Sequence, residues 1–275
     1  MTIIAGLLEF YWRSMGKMVK FAANLSMLFN EFDFLERFDL ASQTGFKGVE
    51  YLFPYDYEEK VLSEILEENN LVQVLHNLPS GDWENGERGI ACMPDRVDEF
   101  KSGVEDAIRY AKALNCDQLN CLAGIRPNEV PDKLLRETFV ANLRFAASLL
   151  GEEGIKLCIE PINTIDIPGF YLTDTDQSKS IMAEVKSDNL MLQYDVYHMQ
   201  IMEGDLSRTI ESNIDIVGHV QIADNPGRNE PGTGEINYPH IFSLLDKVGY
   251  TGWVGCEYFP STTTEASLDW ARKWI

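Results

Sequence analysis

The chain has 275 residues, a length that fits one large domain or two small ones, and 45% of them are hydrophobic, enough to fill a core and too many for a disordered chain. With 44 acidic and 23 basic residues the formal net charge is −21, the wrong sign for neutralising phosphates, so nucleic acid is not an expected partner. No apolar run reaches the roughly 18 residues that a membrane span needs, so no membrane partner is expected either.

The chain opens with MTIIAGLLEFYWRSMGK. This stretch lacks a basic start, and Glu9 interrupts its apolar segment, so it reads poorly as a signal peptide. Residues 1–17 are expected to be an appendage outside the fold, and residues 18–275 a single catalytic domain. From Val19 onward, short β-rich runs alternate with longer segments of helical period. The runs are 19–24, 48–53, 71–76, 118–122, 155–160, 190–195, 218–222 and 253–257. Between them, helices are expected over 32–44, 96–115, 132–150, 175–187, 206–212, 238–248 and 265–274. Phe34, Leu35, Phe38 and Ala41 show the spacing for the first of these. Gly45, Gly154 and Gly249 precede strands, as helix C-caps do. Alternation throughout implies a parallel sheet, and eight units favour a closed (β/α)8 TIM barrel. An open doubly wound sheet is the alternative. It usually announces itself with a Gly-rich first turn, and NLSMLFNE is not one.

The five cysteines form no CxxC pair and are odd in number. Buried, reduced thiols in a cytoplasmic protein are the simplest reading.

The strand ends carry the chemical signal. They fall on Asn24, Glu50, His76, Asn120, Glu160, Asp195, Gln221 and Glu257. In a barrel of this kind the chemistry sits at those C-terminal ends. One unpaired carboxylate buried in a barrel mouth is costly, and three that converge require a counter-ion. Glu160, Asp195, Gln221 and Glu257 end the last four strands, 35, 26 and 36 residues apart. All four offer oxygen, which selects a hard cation, Mg²⁺ or Mn²⁺, over Zn²⁺. The competing reading is a set of helix caps and loop salt bridges.

Around this centre lie His76, ending the third strand, and His198, three residues past Asp195. Each is a candidate for substrate binding or a structural residue. His219 shares a strand face with Gln221, where it would ligate, support a ligand or fill the barrel. Arg228, in DNPGRNEPGTGEINY, is placed to grip a substrate carboxylate. The GDWENGERGIAC segment after His76 either covers the site or is a plain surface loop.

The strings LHNLPSGDW, GERGIACMP, IEPINTIDIPGFYLT, QYDVYHMQIMEGDL, HVQIADNPGRNEPGTGEINYP and GWVGCEYFP resemble the hydroxypyruvate isomerase family, a branch of the xylose-isomerase-like barrels. The resemblance runs from Met18 to about Thr264. It implies interconversion of hydroxypyruvate and 2-hydroxy-3-oxopropanoate (tartronate semialdehyde), a small hydroxy-keto acid substrate and a link to glyoxylate metabolism. It places the catalytic glutamates at Glu160 and Glu257, and a divalent metal on Glu160, Asp195, Gln221 and Glu257. Many sugar-isomerising relatives have His where this chain has Gln221, and the hydroxypyruvate branch has Gln. Related keto-sugar epimerases imply substrate contacts at Asp166, His198 and Arg228. The expected mechanism is metal-assisted proton transfer through an enediolate. Alternatives on the same barrel are a 2-oxo-tetronate or other keto-sugar isomerase or epimerase, and a metal-dependent sugar-acid dehydratase. Homo-oligomerisation is left open.

Overall fold

A computed structural model describes residues 19–272 and 274–275; the expectations for residues 1–17 and for Met18 lie outside them. Eight parallel strands close on themselves in sequence order. They are β1 (Lys20–Asn24), β2 (Gly48–Glu50), β3 (Val72–Asn77), β4 (Gln118–Cys121), β5 (Lys156–Ile159), β6 (Leu190–Asp195), β7 (Val217–Ile222) and β8 (Trp253–Cys256). The doubly wound alternative is thereby excluded. Asn24 pairs with Glu50, Asn77 with Asn120, and Asp195 with Gln221, so polar residues align in register near the C-terminal rim.

Nine α-helices surround the barrel among the described residues: α1 (Glu36–Gln43), α2 (Glu59–Glu68), α3 (Val97–Ala113), α4 (Asp132–Glu152), α5 (Thr175–Val185), α6 (Val196–Met202), α7 (Leu206–Asn213), α8 (Tyr238–Lys247) and α9 (Thr264–Ser267). Amphipathic spacing explains their seating. Helix α3 buries Phe100, Val104, Ala107, Tyr110 and Ala111, one stripe along its length. Sequence periodicity overlooked α2, although its Leu62 and Leu66 are buried at the i, i+4 spacing. It also overlooked α6, which follows β6 without a linker. The expected 265–274 helix is shorter, because the chain leaves helical geometry after Ser267. There Trp270 and Trp274 pack edge-on against Phe21, at 5.2 and 6.0 Å. Aromatic packing, rather than helical hydrogen bonding, holds this end to β1.

Gly255 lies on the barrel wall directly opposite the Glu50 side chain. A Cβ there would fall on the Glu50 carboxylate, so glycine makes room for a charge inside the barrel. All five cysteines are unpaired and buried. Among the described residues no helix is long and apolar enough to cross a membrane.

Candidate active site at the barrel mouth

A cavity of about 680 Å³ opens at the C-terminal ends of the strands. Glu160, Gln221 and Glu257 line it, with Asp166, His198 and Arg228. One atom each of Glu160, Asp195 and His198 lies within 4.8 Å of the others.

Local structure fixes each group. Asp195 ends β6 and caps α6: its Oδ1 accepts from the backbone N–H of Tyr197 (2.7 Å) and His198 (3.3 Å). Its Oδ2 is buried and has no hydrogen-bond partner. Glu160 follows β5 directly, and its Oε2 accepts from Asn120 Nδ2 at 3.0 Å. Glu257 follows β8, with Oε2 3.6 Å from Arg228 Nη2.

Arg228 offsets this cluster of buried acids only in part. Burial, with Glu257 and Asp195 close by, pushes the Glu160 carboxyl well above the usual range. Burial lifts Glu257 to about 8 against the opposing pull of Arg228. Burial lifts Asp195 to about 6, opposed by Arg228 and the two backbone N–H groups. An orphaned carboxylate oxygen beside two further buried carboxyls suits a hard cation, so the donor set fits one.

His198 is a geometric neighbour of that set, but its tautomer gives it another part. Asn163 Oδ1 accepts from the backbone N–H of Ile165 and Asp166, which fixes the Asn163 amide. Its Nδ2 then donates to His198 Nδ1 at 2.7 Å. Burial, and Arg228 nearby, hold the imidazole well below its ordinary range, so it is neutral. The remaining proton therefore sits on Nε2, which faces Asp195 Oδ2 at 3.6 Å and Glu160 Oε1 at 3.9 Å. A neutral Nε2–H is a donor for a substrate oxygen rather than a lone pair for a metal.

Gln221 offers the fourth oxygen, and a network below the mouth orients it. Gln221 Nε2 donates to Glu50 Oε1 at 2.8 Å. Asn24 Nδ2 donates to the same oxygen at 3.0 Å, and His219 Nε2 to Oε2 at 2.7 Å. A carboxylate only accepts, so Gln221 must present its N–H to Glu50 and its carbonyl oxygen elsewhere. Gln193 Nε2 donates to that oxygen at 2.6 Å. His219 is thus a supporting group for Gln221, one of the roles its strand face allowed.

Arg228 stands on a shaped loop. Asp224 accepts from the backbone N–H of Gly232, Gly234 and Ile236, at 2.8, 2.9 and 3.0 Å. A Cβ on Gly234 would meet the Asn225 carbonyl, which explains the glycine. The Arg228 guanidinium lies 5.3 Å from the Tyr197 ring centre and 3.4 Å from Asp166 Oδ2.

His76, expected at the mouth, is not among the cavity-lining residues. Strand β3 runs one residue further, and Asn77 takes the mouth position. Successive strand side chains alternate, so His76 turns to the helical layer and packs edge-on against Tyr55 at 5.9 Å. Trp83 and Arg88, in the GDWENGERGIAC segment expected either to cover the site or to be a surface loop, line the cavity, as do Asn77, Gln193 and Tyr197, which the sequence reading does not pick out. Gln193 was findable, since it precedes Asp195 by two and shares its strand face.

The family described as "Xylose isomerase-like TIM barrel" matches residues 38–274. The chain belongs to that family. It is 55% identical to "Hydroxypyruvate isomerase" of Escherichia coli (strain K12), over 92% of this chain and 98% of that protein. It is 43% identical to "2-oxo-tetronate isomerase" of Cupriavidus necator, over 94% and 99%. Among solved structures, one titled AP endonuclease, family 2, from Brucella melitensis superposes with a TM-score of 0.92 at 47% identity, covering 94% of this chain and 99% of that one.

Proposed function

We propose that the chain is a cytoplasmic hydroxypyruvate isomerase that works with Mg²⁺ or Mn²⁺. The observation that carries this is the buried Glu160–Asp195–Glu257 cluster with its unpartnered Asp195 Oδ2. The likeness to the Escherichia coli enzyme supports the substrate. Glu160, Asp195, Gln221 and Glu257 would hold the cation. A divalent ion at such a site supplies polarisation of a carbonyl and offsets developing negative charge.

The reaction moves one proton from C3 of hydroxypyruvate to C2, while the C3 hydroxyl loses its proton and the C2 oxygen gains one. Atoms and electrons are conserved. Glu160 and Glu257 directly follow strands three steps apart around the ring, a spacing that suits groups on two sides of a small substrate. One takes the proton and the other returns it to the neighbouring carbon. Arg228, 3.6 Å from Glu257, lowers the proton affinity of that carboxyl toward the working range. His198 donates its Nε2–H to a substrate oxygen, and Asn163 holds the ring in that tautomer. Asp166 positions Arg228.

A second reading is favoured by the 43% identical relative: the same proton transfer on a four-carbon 2-oxo acid, which a cavity of about 680 Å³ also admits. The test is to incubate metal-stripped protein with hydroxypyruvate, with and without Mg²⁺ or Mn²⁺. Tartronate semialdehyde is followed by NADH consumption through a coupling reductase. Cation-dependent turnover is expected. Turnover only of 2-oxo-tetronates would move the assignment to the second reading, and turnover without a cation would remove the metal role.

A further inference from the structure

Two guanidinium groups line the cavity, and they stand in different electrostatic situations. Arg228 faces Asp166 at 3.4 Å and Glu257 at 3.6 Å, so carboxylates of the protein already offset its charge. Arg88 has no carboxylate within ion-pair distance among the described residues. Its guanidinium carbon sits 4.1 Å from the centre of the Trp83 ring, a stack that fixes the plane of the fork. Nη1 donates to the carbonyls of Trp83 (3.0 Å) and Glu87 (2.7 Å). Nε and Nη2 have no acceptor among the described residues, and together they form the edge that binds a carboxylate with two parallel hydrogen bonds.

The loop carrying Arg88 is built to hold it there. Glu87 pairs with Arg96 at 2.7 Å, and Gly89 N–H donates to the Ser80 carbonyl at 3.0 Å. Gly89 has φ +111° and no room for a Cβ against the Leu122 carbonyl, so the residue after Arg88 is glycine for cause. Trp83 is in turn braced edge-on by Phe53 at 5.1 Å.

Topology supplies the direction. Arg88 follows β3 and Arg228 follows β7, four strands apart in a ring of eight, hence on opposite walls. The acid cluster belongs to β5, β6 and β8. A small acid whose hydroxyl and carbonyl carbons face that cluster presents its third carbon to the β3 wall, where the unpaired cation stands.

We propose that Arg88 grips the substrate carboxylate and so selects hydroxy-keto acids over uncharged hydroxy-carbonyl compounds. This rests on the isomerase reading of the same site and adds its specificity determinant, which the family likeness does not assign.

The test is a titration of the Mn²⁺-loaded full chain with D-glycerate, a three-carbon hydroxy acid that cannot isomerise, and with its uncharged amide. In Arg88→Met, glycerate is expected to bind about 10- to 100-fold more weakly, the loss of a charge-assisted pair, while the amide changes little. Arg88→Lys keeps part of the preference. The KM for hydroxypyruvate rises by a similar factor and kcat moves less. Equal losses for glycerate and amide would make Arg88 merely structural and overturn the proposal. So would an unchanged glycerate affinity. If wild-type protein fails to turn over hydroxypyruvate while Arg88→Met still loses glycerate, the isomerase reading falls and the carboxylate anchor stands.

Discussion

Glu50 and Asp195 are both fully buried carboxylates of one barrel, yet their surroundings are opposite. Glu50 accepts three hydrogen bonds, from Asn24, His219 and Gln221, and each of its oxygens is satisfied within the protein. Asp195 leaves Oδ2 without a partner, next to Glu160 and Glu257, whose carboxyls burial drives upward. The lower carboxylate is complete without any ligand, and its work is to orient a neighbour. The upper group is complete only with something positive added. Burial alone therefore does not mark a functional acid; burial with an unfilled acceptor does.

The largest effect that separates the two regions is on turnover. Glu160→Gln and Glu257→Gln should each lower kcat by about 10³-fold or more, since in the proposed mechanism each removes a proton-transfer group and a cation ligand together. Circular dichroism should show an intact fold, and wild-type rates in either variant would end the acid–base assignment.

The next effect is on the stability of metal-free protein, and its sign differs between the regions. Glu50→Gln places an N–H among three donors and should destabilise by about 1–3 kcal/mol. That is a fall in Tm of several degrees for a chain of this size. Asp195→Asn removes a buried charge that Arg228 and two backbone N–H groups only partly offset, and should raise the Tm of the metal-free protein at pH 8. Equal signs in the two variants would mean that the two carboxylates do not differ in how the protein satisfies them.

A proton balance sharpens it further. Glu257 titrates near 8 in the fold against an ordinary 4.5, so at pH 7 it is mostly protonated. The raised value means the metal-free fold loses stability as pH rises from about 4.5 through about 8. Loading Mn²⁺ at pH 7 should accordingly release at least one proton, from Glu257 and from the likewise raised Glu160, and fewer as pH rises past 8. Calorimetry in two buffers of different ionisation enthalpy reads this number directly; zero release would show that the cation does not engage the acid cluster.

The effect confined to acid pH lies outside both regions. Burial holds His76 at about 4, below its ordinary 6.5. Its stabilising contribution is present above pH 6.5 and is lost as pH falls toward 4, at no more than about 1.4 kcal/mol per pH unit. His76→Gln should flatten the stability profile in that window and leave turnover unchanged. A loss of turnover would return His76 to the substrate site.

Much of the mouth was legible before any coordinates. Glu160, Asp195, Gln221 and Glu257 recur at intervals of one β/α unit, and a parallel barrel converts that interval into proximity. Elements were less legible where two signals compete. VYHMQIM is too short to show a helical period in the sequence, yet Asp195 caps it into α6. The LHN stretch places His and Asn one residue apart, and only the strand register decides which faces the cavity. Glu50 was visible as a strand end but not as an acceptor hub. Its three donors come from β1 and β7, up to 171 residues away in sequence. Arg88 lay beyond sequence reasoning for a similar reason: a loop arginine looks the same whether or not it has an acidic neighbour.

The five cysteines have a practical consequence. Each thiol is buried, and burial raises Cys92, Cys116 and Cys158 to about 12. Reaction with an alkylating reagent needs the thiolate and access to it, and the native barrel withholds both. Labelling of this protein therefore clocks the opening of its core. The rate of iodoacetamide uptake, with and without Mn²⁺, reports whether the proposed cation steadies the core, with no probe attached and no residue changed.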